Sequence, residues 1–174
     1  MPVTKMLPLL GGALLLAAAA QAQSLPPPPY LEYTAKFTCG VEPREVDDVV
    51  VGTYASSINI HNPQARLTVK FLKKIVVANR EGSGLGAIRI LNEDETLPPD
   101  RAERVDCVLI QKALHQTPTT YVEGFVVIEV PRVTIGTTSF QPLLDVVAKY
   151  TARPTNGQIS TQSVVPIDGK SITR

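Results

Sequence analysis

The stretch Tyr30–Gly40, YLEYTAKFTCG, alternates apolar and polar residues without a slip. Leu31, Tyr33, Ala35, Phe37 and Cys39 fall on one side of an extended chain, and Glu32, Thr34, Lys36 and Thr38 on the other. A period of two sustained over nine residues marks a half-buried strand, because successive side chains of extended backbone point to opposite faces. The first folded element is therefore a strand, and it sets the expectation of an all-β chain.

The same period recurs downstream. Tyr54, Ser56, Ile58 and Ile60 share one face, and Leu67, Val69 and Phe71 share another after Asn62-Pro63. A residue before proline is held out of the helical region and Asn-Pro favours turn initiation, so SINIHNPQARLTVKFLKK, Ser57–Lys74, is predicted to form a hairpin. Lys73 falls in line with Leu67, Val69, Phe71 and Ile75 and interrupts an apolar row, which places a bulge or a sheet edge near it. YVEGFVVIEV (Tyr121–Val130) and LLDVVAKYT (Leu143–Thr151) are near-continuous apolar runs rich in β-branched residues, as central strands are. GQISTQSVV (Gly157–Val165) reads as a last strand after the Asn156-Gly157 turn signal.

Other segments read as connections. NEDETLPPD (Asn92–Asp100) reads as an acidic turn, and VEPREVDD (Val41–Asp48) as a loop whose Asp47 and Asp48 lack the ligand spacing of a calcium loop. Gly82, Gly84 and Gly86 precede AIRIL, a strand pattern, so they suit a hairpin loop and not a phosphate-binding turn, which needs a helix after it. In RAERVDCVLIQKALH (Arg101–His115) two periods compete: Val105, Val108, Leu109 and Lys112 have helical spacing, and a strand through Val105 and Cys107 followed by a short helical turn, the reading preferred, fits equally well. About seven strands, turn signals between them and little helix predict an all-β antiparallel two-sheet sandwich of immunoglobulin-like type with one short helix. A barrel is the competing architecture, and the chain has no Trp to play the buried role it has in antibody domains.

Domain organisation follows from composition. Lys5, the apolar run Met6–Ala20 and Ala20-Gln21-Ala22 form the basic, apolar and small-x-small regions of a signal peptide over residues 1–22. Residues 23–30, with SLPPPP, are a proline-rich linker, and residues 31–174 a single β-sandwich domain. Removing Lys5 brings Lys plus Arg from 17 to 16, equal to the 16 Asp plus Glu. A neutral mature chain favours neither nucleic acid nor an acidic membrane as partner. An oxidising compartment, periplasmic or outside the cell, favours a Cys39–Cys107 disulfide over two buried free thiols, since their spacing is of no metal-binding type.

The chemistry-bearing residues are few. His61 and His115 sit in no metal-ligand spacing, and neither a metal nor a cofactor is expected. Ser56 or Ser57 with His61 and Asp145 would make a triad on paper, but no G-x-S-x-G elbow presents a serine. His61, Arg66, Lys70, Lys73 and Lys74 could line a shallow anion site; the competing reading is that the lysines protect a sheet edge from pairing.

YASSINIHNP (Tyr54–Pro63), VKFLKK (Val69–Lys74), VDC (Val105–Cys107), GFVVIEV (Gly124–Val130) and LDVVAKYTA (Leu144–Ala152), in this order, resemble a family of short exported bacterial proteins. The resemblance spans Tyr33–Ile167 and implies an exported all-β protein, with no activity, cofactor or catalytic residue attached. The expectation from the sequence is a non-enzymatic binding or envelope-structural module. It would meet a protein partner or itself through a sheet face or edge strand, with no membrane span once the signal peptide is gone. A small periplasmic hydrolase using His61 and a carrier of an apolar ligand are the alternatives.

Overall fold

A computed structural model describes residues 30–44, 49–79, 84–155 and 160–172. The segment read as a signal peptide, residues 23–29 of the segment read as a linker, Asp47, Asp48, Gly82 and the expected Asn156-Gly157 turn lie outside the described residues. Eleven strands and one helix follow in the order β1 Tyr30–Glu42, β2 Gly52–His61, β3 Val69–Val77, β4 Ile88–Leu97, β5 Ala102–Asp106, α1 Cys107–Ala113, β6 Val122–Pro131, β7 Val133–Ile135, β8 Thr138–Phe140, β9 Asp145–Pro154, β10 Thr161–Ile167 and β11 Lys170–Ile172. Nine strands form one sheet, on the path β10-β9-β2-β1-β6-β3-β4 with β11 beside β1 and β5 beside β2. β7 and β8 form a separate two-stranded ribbon. The strand pairings are antiparallel, with a single parallel bridge from Val41 to Thr120.

The opening strand is the pivot. Tyr30–Cys39 pairs with β6, and Gly40–Glu42 pairs with β2. Gly40 makes the transfer at φ +97°, where a Cβ would also stand 2.1 Å from the Thr120 carbonyl oxygen. Only glycine meets both conditions. One half of the sheet, β11-β1-β6-β3-β4, thereby hands over to the other, β10-β9-β2-β5, and both halves contribute to one core. Phe37 from β1, Phe71 and Ile75 from β3, Val126 and Ile128 from β6, Ile58 and Ile60 from β2 and Ala148 from β9 are 0–1% exposed. Burial of each large side chain contributes roughly 1.5–3 kcal/mol, before the entropy of ordering is subtracted. Tyr33 of β1 accepts the Leu144 N–H at 2.8 Å, which ties β1 to the entrance of β9 and satisfies a buried hydroxyl.

The period-two reading of Tyr30–Gly40 holds residue by residue: Leu31, Tyr33, Ala35, Phe37 and Cys39 are all buried. β6 and β9 are interior strands, flanked by β1 and β3 and by β2 and β10. Arg101–His115 is a strand followed by a seven-residue helix, whose N-cap Asp106 accepts the Leu109 N–H at 3.1 Å.

Three expectations are corrected. The strands number eleven where about seven were expected; the additional ones include β7, β8 and β11, each three residues long and too short to carry a period. The predicted hairpin over Ser57–Lys74 is not one, because β2 pairs with β1, β5 and β9 while β3 pairs with β4 and β6. The chain leaves one half of the sheet at His61 and enters the other at Val69. Asn92–Leu97 is strand and not turn, carried by β4 through two register shifts against β3 around Lys73. Those shifts are the bulge that the misplaced lysine led us to expect.

Candidate functional site

The His61 corner is built from Asn62, which is fully buried. Its amide nitrogen donates to the carbonyls of Leu67 (2.7 Å), Leu97 (2.8 Å) and Pro98 (3.1 Å), and its side-chain oxygen accepts the Gln64 N–H at 3.0 Å. Its backbone N–H donates to Arg101 O, and its carbonyl accepts from the Asp100 N–H. One side chain thus fixes both the crossing from β2 to β3 and the turn between β4 and β5, as Asn does when it satisfies turn backbone groups. Asp100 adopts φ +52°, a conformation that Asp tolerates better than most residues, and lies beside His61.

His61 lies between two carboxylates. Its Nδ1 is 3.1 Å from Asp145 and its Nε2 is 3.3 Å from Asp100. The hydrogen bond to Asp145, then that to Asp100, hold the imidazole pKa above its usual 6.5. A base for a nucleophile needs one nitrogen facing the attacking group, and here each faces a carboxylate. Ser56 is buried and engaged with Thr38, while Ser57 precedes His61 by four residues of one strand, about 13 Å. The structure brings His61 and Asp145 together and brings neither serine to them.

The cations proposed for an anion site do not converge either. Lys70 pairs with Asp94 at 3.2 Å, Lys74 pairs with Glu129, and Arg66 is exposed in the loop after Asn62. Lys73 points inward with its side chain 7% exposed and reaches Glu95 (3.1 Å) and Glu103 (2.6 Å). Glu95 sits on β4 and Glu103 on β5, so this lysine joins the two halves of the sheet along that edge. The side chain also lies 5.8 Å from the Phe71 ring centre. Neutralisation by carboxylates leaves no concentrated positive field for an anion.

Cys39 and Cys107 are joined in a disulfide between the end of the β6-paired stretch of β1 and the first residue of α1. Among the described residues, no group of three or more His, Cys, Asp or Glu is placed to hold a metal, and no helix is long and apolar enough to cross a membrane.

Two apolar surfaces are left uncovered. The first is the outer face of β3, β4 and β6, where the register sets Ile88 beside Val76, Val76 beside Phe125, and Ile90 beside Lys74. Ile88 is 62% exposed, Ile90 53% and Phe125 38%. The second is a groove of about 450 Å³ beside β1. Lys36 and Thr38 form its wall, and Tyr54, Tyr150, Ala152 and Val165 its floor. The floor belongs to the inward faces of β2, β9 and β10. Sequence reading missed both surfaces: Ile88 and Ile90 read as ordinary strand residues, and the groove is made by strands more than a hundred residues apart. No family model, curated protein or solved structure matches the chain.

Proposed function

We propose that the chain is an exported, non-enzymatic β-sandwich of immunoglobulin-like type, acting as a binding or envelope-structural module through an uncovered sheet surface. Strand order supports the fold assignment. The neighbours β1-β6-β3 in one half and β2-β9-β10 in the other follow the B-E-D and C-F-G orders of immunoglobulin sheets. The leader-like first 22 residues, the oxidised cysteine pair and the resemblance to short exported bacterial proteins support export, to the periplasm or beyond.

The observation that carries the functional reading is the row Ile88, Ile90 and Phe125. His61, Lys70, Lys73 and Lys74 are each engaged by carboxylates, and this apolar row is open; contiguous exposed apolar surface marks interaction sites. A photo-crosslinking residue at Ile90 or Phe125 should give discrete protein adducts in the envelope of the native host, and one at Arg66 none. Adducts that do not depend on position overturn the reading. Esterase, amidase or glycosidase activity of the mature protein that disappears in His61→Ala would also overturn it, in favour of a hydrolase.

A second reading has an observation of its own. The groove beside β1 has the volume of a small-molecule site and an apolar floor, which suits a carrier of an apolar ligand.

A further inference from the structure

Among the described residues, β1 has a strand neighbour on its side away from β6 only at its two ends. β11 pairs with Tyr30–Glu32, and β2 pairs with Gly40–Glu42. Between them residues 33–39 have no strand beside them on that side among the described residues, and Lys36 and Thr38 border the groove. At Thr38 the gap is closed by a side chain: the Ser56 hydroxyl accepts the Thr38 N–H at 2.9 Å and donates to the Thr38 carbonyl at 3.1 Å. In an antiparallel pair, alternate residues turn their backbone groups to the same side, so Thr34 and Lys36 present theirs where Thr38 does. Among the described residues neither finds a backbone partner there.

The groove is therefore the lane of an absent strand. Its floor, the inward faces of Tyr54, Tyr150, Ala152 and Val165, is uncovered because no strand continues past β11 in the plane of β1 and β6. Resting on the reading of the protein as an interaction module, we infer that this lane receives an extended peptide segment of a partner protein. The segment hydrogen-bonds to the backbone of Thr34 and Lys36 and sets one apolar side chain on Tyr150 and Val165. Strand addition draws affinity from main-chain hydrogen bonds and selectivity from alternate side chains.

The occupant is distinguished by what it must supply. An acyl chain covers the floor and leaves two N–H groups and two carbonyls of β1 unpaired; an extended peptide satisfies both. The chain's own residues 23–29 do not serve. They extend at most about 24 Å, would have to reverse at Tyr30 and pass the lane held by β11, and include four prolines without N–H groups. Two of the other edges carry guards: β4 has the register shifts around Lys73, and β10 has Pro166. The charge on the open stretch of β1, Lys36, is paired with Glu123 of β6 at 3.3 Å.

The test uses the mature chain with the probe acetyl-Thr-Val-Thr-Val-Thr-Val-Thr-amide, read by amide hydrogen exchange and chemical shifts. At millimolar peptide, exchange at Thr34 and Lys36 should slow at least tenfold, and resonances of Tyr150 and Val165 should move. A peptide N-methylated at alternate residues should lose at least tenfold in affinity in the register that faces β1. Val165→Glu, at a position 38% exposed, should do the same, while Ile135→Glu, at a position 62% exposed on the β7-β8 ribbon, leaves binding unchanged. Absence of protection at Thr34 and Lys36, protection at β4 or β10 instead, or indifference to N-methylation overturns the inference. Decanoate that shifts Tyr150 and Val165 and excludes the peptide, without protecting the β1 amides, overturns it in favour of the carrier. Position-dependent crosslinks from Ile90 together with no protection of the Thr34 and Lys36 amides would leave the interaction module standing without this slot, so the two readings fail separately.

Discussion

Along the β3-β4-β5 edge the two halves of the sheet are joined by a buried ion-paired lysine, and along the β1-β10 edge by little more than the Ser56 hydroxyl. At the first, Lys73 leaves β3 and meets a carboxylate on β4 and another on β5, while Asn62 pins the turn that carries β4 into β5. At the second, Ser56 caps one residue of β1, and the adjoining groove lies open over the floor formed by Tyr150 and Val165. The difference teaches where this protein tolerates change. A buried ion pair with satisfied partners makes the first edge intolerant of losing either partner, whereas the second edge depends on one hydroxyl and on apolar surface that nothing yet covers.

The tie between the edges gives the largest expected effect. The disulfide links β1, the strand of the open edge, to the end of β5, the strand of the closed one, across a separation of 68 residues. Replacing both cysteines by alanine should lower unfolding free energy by about 4 kcal/mol in urea titration, from the loop-closure entropy regained by the unfolded chain. A loss under 1 kcal/mol would mean that the edges hold without it.

Within the closed edge, Lys73→Met strands two carboxylates that are about a quarter exposed and should cost about 2 kcal/mol. Adding Glu95→Gln and Glu103→Gln should restore at least half of that; a triple variant no better than the single one would show that packing of the lysine stem, and not charge, closes this edge. At the open edge, Ser56→Ala should cost about 1 kcal/mol and speed exchange of the Thr38 amide, since the N–H loses its acceptor. An unchanged exchange rate would show that the cap is dispensable and the contrast smaller than the geometry indicates.

The smallest effect is a pH dependence at the His61 corner. Its hydrogen bonds to Asp145 and Asp100 raise the folded pKa above the 6.5 of the unfolded chain, so the folded state binds the proton more tightly. The resulting stabilisation is fully present below pH 6.5 and is lost as pH rises through the higher folded value. The melting temperature should fall over that interval in the parent protein and fall less in His61→Gln. Parallel profiles would remove the corner from the comparison.

What the sequence made legible was set by how far each signal reaches along the chain. The alternation in Tyr30–Gly40, the apolar runs of β6 and β9, the helix after Asp106 and the bulge at Lys73 are local patterns of side-chain type, and each appears where it was read. The crossing at Asn62 was hidden because Asn-Pro marks the end of a strand without saying which strand comes next. The residues that take the Asn62 amide hydrogens lie up to 36 positions away. The pairing of Lys73 with Glu103 was hidden for the same reason, and the groove more so, since it exists only once β1 stands over β9 and β10.

Because Tyr30–Cys39 of β1 takes its neighbours from Val122–Pro131 and Lys170–Ile172, most of this strand's hydrogen-bonding partners are made late, β2 at Gly40–Glu42 being the early one. Most of the leading strand therefore lacks its ladder until Val122–Pro131 has been made. Truncation before β11 should leave the leading strand frayed at its start, with β6 as the neighbour remaining beside Tyr30–Glu32.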